Sequence, residues 1–170
     1  MDIQPQSNNE MQKLADLIGE SQVAMLTTAE PNGLLRSRPL VTLQLDSEGR
    51  LWFFISVVSP KISEIAQHRD VNLSYSNPDK QDYISVSGAA EVVRDRQKMR
   101  ELWTPWVEPY FPKGIDDPDL ALLCVRIAQA EYWNAPDTNV ERLYGFAKAI
   151  ATGDTKALGE HQKVQGPAPH

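Results

Sequence analysis

QVAMLTTAEPNGLLRSRPLVTLQLDSEGRLWFFIS, residues 22–56, decides the fold. Three apolar-rich runs, 22–29, 35–45 and 51–56, are separated only by Glu30-Pro31-Asn32-Gly33 and Asp46-Ser47-Glu48-Gly49. Both separators are turn chemistry, so consecutive strands pair as antiparallel hairpins. Parallel pairing needs a crossover of a dozen or more residues, and these separators leave no room for one. Upstream, Ser7-Asn8-Asn9-Glu10 has capping-box spacing, and Met11, Leu14, Leu17 and Ile18 recur at helical spacing. The pattern predicts a helix over 8–20. Downstream, Ser59-Pro60 opens a short helix to about His68, with Ile62, Ile65 and Ala66 inward. Strands are expected at 71–76, 83–93 and 120–133, the last broken near Ala128–Ala130. Helices are expected at 94–103 and 140–151, an irregular ordered stretch at 104–118, and a frayed end from Gly153. Strands outnumber helices. The expectation is a mainly β fold with peripheral helices, an antiparallel sheet closed into a small barrel. One domain over 8–152 and a flexible C-terminal tail over 153–170 follow.

Composition narrows the function classes. Seventeen Lys+Arg against twenty-three Asp+Glu leave a formal charge of −6 over 170 residues, with pI about 5.1. A chain that neutralises a phosphate backbone is usually basic, so general nucleic-acid binding is not expected. An acidic chain can still hold one anion, with a few cations placed locally. Cys124 is alone, which excludes an intrachain disulfide and a Cys-x-x-Cys metal knuckle. The histidines are His68, His161 and His170, too dispersed for an evident zinc site or Cys-His pair. No apolar run reaches about 18 residues, so no membrane span is expected. The polar start, MDIQPQSNNE, lacks a signal-peptide core, and a cytoplasmic location is the default expectation.

Side chains alternate along a strand. Over 35–45, Leu35, Ser37, Pro39, Val41, Leu43 and Leu45 share one mostly apolar face, expected to be the core. Arg36 and Arg38 then stand together on the other face, beside a proline that cannot donate to the ladder. An isolated Arg-x-Arg more often marks a solvated strand face. Over 51–56 both faces carry bulk, Leu51, Phe53 and Ile55 on one and Trp52 and Phe54 on the other, so both need cover. Ser59 is a preferred N-cap and Pro60 a preferred first helical residue. Lys61 opposes the helix dipole, a local conflict that a bound anion would resolve. An ordinary cap with an exposed lysine is the alternative. Adjacent strands could bring Arg36 and Arg38 to the Ser59–Lys61 helix start, with apolar groups beside them for a planar ring.

NGLLRSRPLV, LWFFISVVSPKISEIAQH, YISVSGAAEVV and YFPKGIDDPDLALLCVRIAQAEYW, in that order, resemble the FMN-binding split barrels of the pyridoxamine 5′-phosphate oxidase-like superfamily, of the general stress protein 26 type. The resemblance covers about residues 8–150. It implies FMN, or FAD, at the interface of a homodimer. It implies that Arg38 contacts the flavin phosphate, with Pro39, Leu40 and Val41 along the flavin. Ile55 and Ser56 fall at the ring and ribityl region. Ser59 and Lys61 match phosphate-binding positions, and Pro60 replaces an arginine that Arg36 could compensate. Tyr83 stands where a flavin-contacting glutamine is usual. Trp133, in Glu131-Tyr132-Trp133, matches a tryptophan that reaches FMN from the second subunit; a core aromatic is its plainer reading.

One departure matters. The oxidases follow that tryptophan with an Arg-Leu-His-type segment that binds pyridoxal phosphate. Here Asn134-Ala135-Pro136-Asp137-Thr138 follows, and no Arg-x-His occurs. The expected function is an FMN-binding stress-response protein, a flavin-dependent oxidoreductase of unknown substrate with a reduced nicotinamide as candidate reductant. The alternatives are pyridoxamine 5′-phosphate oxidase and a non-enzymatic flavin-binding or sensing protein. Haem or deazaflavin in a related barrel is weaker still, because His68 alone gives haem little support.

Overall fold

The structure is a computed structural model, and it describes residues 1–134, Lys148 and 160–167. A two-residue strand β1 (Asp2–Ile3) precedes helix α1 (Asn9–Ser21). Asn8, not the expected Ser7, caps α1: its side chain accepts the Met11 N–H at 2.8 Å. The helix buries Met11, Leu14, Ala15, Leu17 and Ile18, the predicted stripe plus one alanine.

β2 (Val23–Ala29) and β3 (Leu35–Val41) form the expected hairpin, followed by β4 (Gln44–Leu45) and β5 (Arg50–Ser56). The single strand expected over 35–45 changes partner midway. Thr42 N–H donates to Gln22 O at 2.8 Å, on the β2 side, and Leu43 N–H donates to Trp52 O at 2.8 Å, on the β5 side. Helix α2 (Lys61–Gln67), strands β6 (Asp70–Asn77) and β7 (Asp82–Val93), helix α3 (Arg96–Leu102) and strand β8 (Leu120–Asn134) complete the frame. Neighbours run β4-β5-β8-β7-β6-β2-β3, every pair antiparallel. Because β3 runs straight on into β4, that strip closes on itself as a barrel. β1 adds to β4 in parallel. The break expected in β8 is a bulge: Ser87 pairs with Gln129 and Gly88 with Ile127, leaving Ala128 extra.

The frayed end expected from Gly153 contains a strand. β9 (Glu160–Gln165) pairs antiparallel with Gln129–Asn134 of β8, the half that β5 leaves uncovered. Its Val164 is 1% exposed and joins the core, which a solvated tail cannot do. The helix expected over 140–151 lies outside the described residues except for Lys148, which is helical.

The barrel interior holds Leu26, Phe53, Leu73, Val86 and Val125, each fully buried, and α1 closes it. A second cluster lies outside the wall: Trp52 and Phe54 of β5 and Leu122 of β8 pack under Met99, Leu102 and Val107. Both faces of β5 are therefore covered, as the sequence requires. The cover comes from α3 and residues 104–118 of the same chain, not from the second subunit of the homodimer that the resemblance implies.

The faces of β3 are the reverse of those expected. Arg36, Arg38 and Leu40 lie opposite Thr28, Leu26 and Ala24, which are 1%, 0% and 0% exposed. The arginine face is thus the inner one. Leu35, Ser37, Pro39 and Val41 share the outer face with Val23 and Met25, which stay nearly half exposed. Alternation fixes which residues share a side but not which side is inside.

Candidate functional site

Arg38 projects from the inner side of β3 toward α2. Its Nη1 donates to Glu64 Oε2 at 2.8 Å and to Thr28 Oγ1 at 2.7 Å, and its Nη2 donates to Glu64 Oε1 at 3.1 Å. Thr28 in turn donates to Glu64. Glu64 is 4% exposed. The Arg38 guanidinium, then burial in the opposite sense, then Thr28 set its acidity, and the balance holds its carboxyl below the ordinary value. A charge this buried is retained only when paired and hydrogen-bonded.

Lys61 begins α2 and is half-buried. Burial and the neighbouring Arg38 pull its ammonium down from its ordinary value, while Glu64 opposes them. Among the described residues it makes no ion pair. Arg36 pairs with Glu30 at 3.2 Å on the exposed rim. Three cations therefore meet two carboxylates, and the excess positive charge sits at Lys61. Ser59 does not cap α2: Pro60 occupies the cap position without a side-chain bond, and Ser59 O accepts the Ile62 N–H at 3.0 Å. The chain makes a tight turn before the helix, in which Ser59 N–H donates to Ser56 O at 3.1 Å.

Past Arg38 the strand turns apolar. Pro39, Leu40 and Val41 line a groove of about 370 Å³ with Val23, Leu43, Phe54, Val107, Tyr110 and Phe111. Phe54 holds Phe111 edge-on at 5.8 Å between centroids. Ser56 lies two residues beyond Phe54 on the same side of β5, toward the Ser59–Lys61 turn. Ile55 is 1% exposed, so only its backbone can face a ligand. Among the described residues that line the groove, Tyr110 is the one titratable group. Burial pushes the Cys124 thiol up to about 12, which removes it as a nucleophile.

Tyr83 and Trp133 are cross-strand partners on β7 and β8, 47% and 40% exposed. They share the outer face with Met25 through the pairs Met25–Ser74 and Ser74–Ser85. Three strand spacings separate β8 from β2, roughly 14 Å along the sheet, so one chain does not bring Trp133 to Arg38. His161 of β9 stacks on Trp133 at 4.9 Å and 7°, and its Nε2 lies 3.2 Å from Glu131 Oε2.

Sequence reasoning placed Arg36 and Arg38 near the Ser59–Lys61 turn; Arg38 lies near Lys61, while Arg36 turns to Glu30 on the rim. It missed Glu64, Thr28, Phe54, Tyr110, Phe111 and His161. An acid one turn after Lys61 could have pointed to Glu64; nothing local pointed to His161. Among the described residues no cluster of three acidic, cysteine or histidine side chains could hold a metal ion. No described helix is long and apolar enough to cross a membrane.

Comparison with known proteins gives a consistent answer. Residues 9–157 match the family model described as pyridoxamine 5′-phosphate oxidase like. Protein bli-3 of Neurospora crassa is 23% identical over 96% of this chain and 83% of its own. A solved candidate general stress protein 26 from Jannaschia sp. CCS1 superposes with a TM-score of 0.74, at 25% identity, over 92% of this chain and 98% of its own. The solved general stress FMN/FAD binding protein from Xanthomonas citri gives 0.65 and 27% identity, over 75% and 89%.

Proposed function

The chain belongs to the pyridoxamine 5′-phosphate oxidase-like family, and on that premise we propose that it binds FMN and works as a flavin-dependent oxidoreductase. One observation carries the reading: Lys61 lies near enough to Arg38 to feel its charge, and the residues that follow Arg38 along β3, Pro39, Leu40 and Val41, line the apolar groove. A pair of cations with an aromatic-walled groove beginning at the next residue of the same strand suits a phosphate attached to a planar ring. Lys61 gains most from the phosphate, which relieves its repulsion by Arg38. Arg36 and Ser59 flank the same corner. The groove would shield the ring from water, with the Ile55–Ser56 backbone along its edge.

When bound, the flavin supplies two-electron redox chemistry. Hydride exchange with a reduced nicotinamide needs no general base, so the apolar residues that line the groove suffice for it. Tyr83 and Trp133 complete the site from a second copy, whose exposed outer strands β2 and β3 would pack against this one. The test is titration of apoprotein with FMN, read by flavin fluorescence. Wild type is expected to bind, and Arg38→Ala with Lys61→Ala to lose about a hundredfold in affinity, two charge-assisted contacts at about tenfold each. Unchanged affinity in the double variant overturns the phosphate site.

A second reading rests on His161. The imidazole missing from the run after Trp133 lies beside Trp133 in space, which keeps oxidation of pyridoxine 5′-phosphate in view. The first reading expects no oxygen-dependent formation of pyridoxal 5′-phosphate by the holoprotein. Its appearance, abolished in His161→Ala, would establish the second.

A further inference from the structure

A guanidinium carries five N–H groups in one plane. In Arg38, Nη1 uses both of its own on Glu64 and Thr28, and Nη2 uses one on Glu64. The second Nη2–H and the Nε–H share the opposite edge, and no described residue accepts from them. The Arg38 side chain is 19% exposed, against 5% for Glu64, so the inner end is sealed while some of the group still meets solvent. We infer that Glu64 and Thr28 are positioning residues that clamp Arg38 from within, so that its free Nε/Nη2 edge is aimed as a fork at two oxygens of a phosphate monoester, and that this clamp is what lets the site select a phosphorylated flavin over the phosphate-free one.

The inference rests on the flavin reading above and adds to it the source of phosphate selectivity. The clamp has two physical effects. It removes the rotamer freedom of a long side chain before the ligand arrives, so less ordering remains for binding itself. It also cancels one unit of positive charge, so the corner's attraction comes chiefly from Lys61 and the direction comes from Arg38. Planar fork-on-phosphate recognition depends on orientation more than on net charge. Thr28 shares the duty because its hydroxyl accepts from Nη1 while donating to Glu64. Removing the carboxylate takes away two of the three bonds that hold the guanidinium, whereas removing the Thr28 hydroxyl takes away one and leaves both bonds to Glu64.

The measurement is the ratio of riboflavin to FMN dissociation constants, by fluorescence titration of apoprotein, with thermal midpoints recorded alongside. Wild type is expected to prefer FMN by about a hundredfold, and Glu64→Gln by about tenfold less, the loss of one charge-assisted contact. Thr28→Val should lose about threefold, and Thr28→Ser, which keeps the hydroxyl, should restore the wild-type ratio. Riboflavin affinity should stay level throughout. A merely structural role would lower the thermal midpoint and both affinities together, leaving the ratio unchanged, and that result overturns the inference. A rise in FMN preference in Glu64→Gln also overturns it, because the carboxylate would then act only as a repelling charge. A wild type that binds neither flavin overturns the flavin reading and this inference with it. A wild type that prefers FMN through Arg38, with Glu64→Gln and Thr28→Val unaltered, overturns the clamp alone.

Discussion

β5 and β3 are separated in the chain only by the two-residue β4, equal in length at seven residues, and used in opposite ways. On β5, Leu51, Phe53 and Ile55 fill the barrel while Trp52 and Phe54 lie under α3 and the 104–118 stretch, all at 6% exposure or less. On β3 the inner side carries an arginine held by a buried carboxylate, and the outer side leaves Leu35 75% exposed. β5 is a wall with apolar packing on both surfaces. β3 is a rim, with charge on one side and uncovered apolar surface on the other. Apolar burial stabilises a fold without direction, whereas a charged pair and an open face can recognise something. Of the two, the strand that contributes less to the core is the one suited to binding.

The contrast can be broken most sharply at Phe54. Phe54→Ala removes a ring packed edge-on to Trp103 and Phe111. It should cost about 4 kcal/mol in denaturant unfolding. A cost below about 1 kcal/mol would mean that the outer cluster is not a second core. On the rim, Glu64→Gln should cost about 2 kcal/mol at neutral pH, from an ion pair reduced to a weaker hydrogen bond. Its pH dependence is more telling. The unfolded carboxyl titrates near 4.5 and the folded one below that. The pair's contribution is therefore complete above about pH 4.5 and fades as pH falls through the folded value. Wild type should lose its advantage over Glu64→Gln in acid, and a constant difference down to pH 2 would break the assignment. The smallest effect on chain stability belongs to Met25→Lys on the open face, within about 0.5 kcal/mol. The proposed pairing of two copies predicts that the same change lowers the sedimentation coefficient toward that of a single chain. An unaltered coefficient would place the partner surface elsewhere.

How far the sequence could be read depended on what each signal encodes. The hairpins at 30–33 and 46–49 were legible because turn chemistry is local. The double cover of β5 was legible because both of its parities are bulky. The inner side of β3 was not, since parity carries no label for inside, and Leu35 and Pro39 outweighed the arginines. Glu64 was hidden for a related reason: beside Ile65 on a short helix, a glutamate reads as solvent-facing until the arginine it meets is known. The partner change at Thr42–Leu43 has no side-chain signature, because it is made by backbone N–H groups alone. His161 and Trp133 meet through strand pairing across 28 residues of sequence, beyond any periodicity.

The bulge in β8 sits between two glycines that admit nothing larger. A Cβ on Gly88 would come within 2.3 Å of Arg126 O, and one on Gly166 within 1.8 Å of Ile127 O. The kink is thereby gripped from both flanks, and Trp133 stands five residues beyond it, about 17 Å along the strand. Geometrically this is a lever: a tilt of about 3° at the bulge swings the indole by about 1 Å. Small residues remote from any ligand thus set the reach of the ring that a second copy would offer.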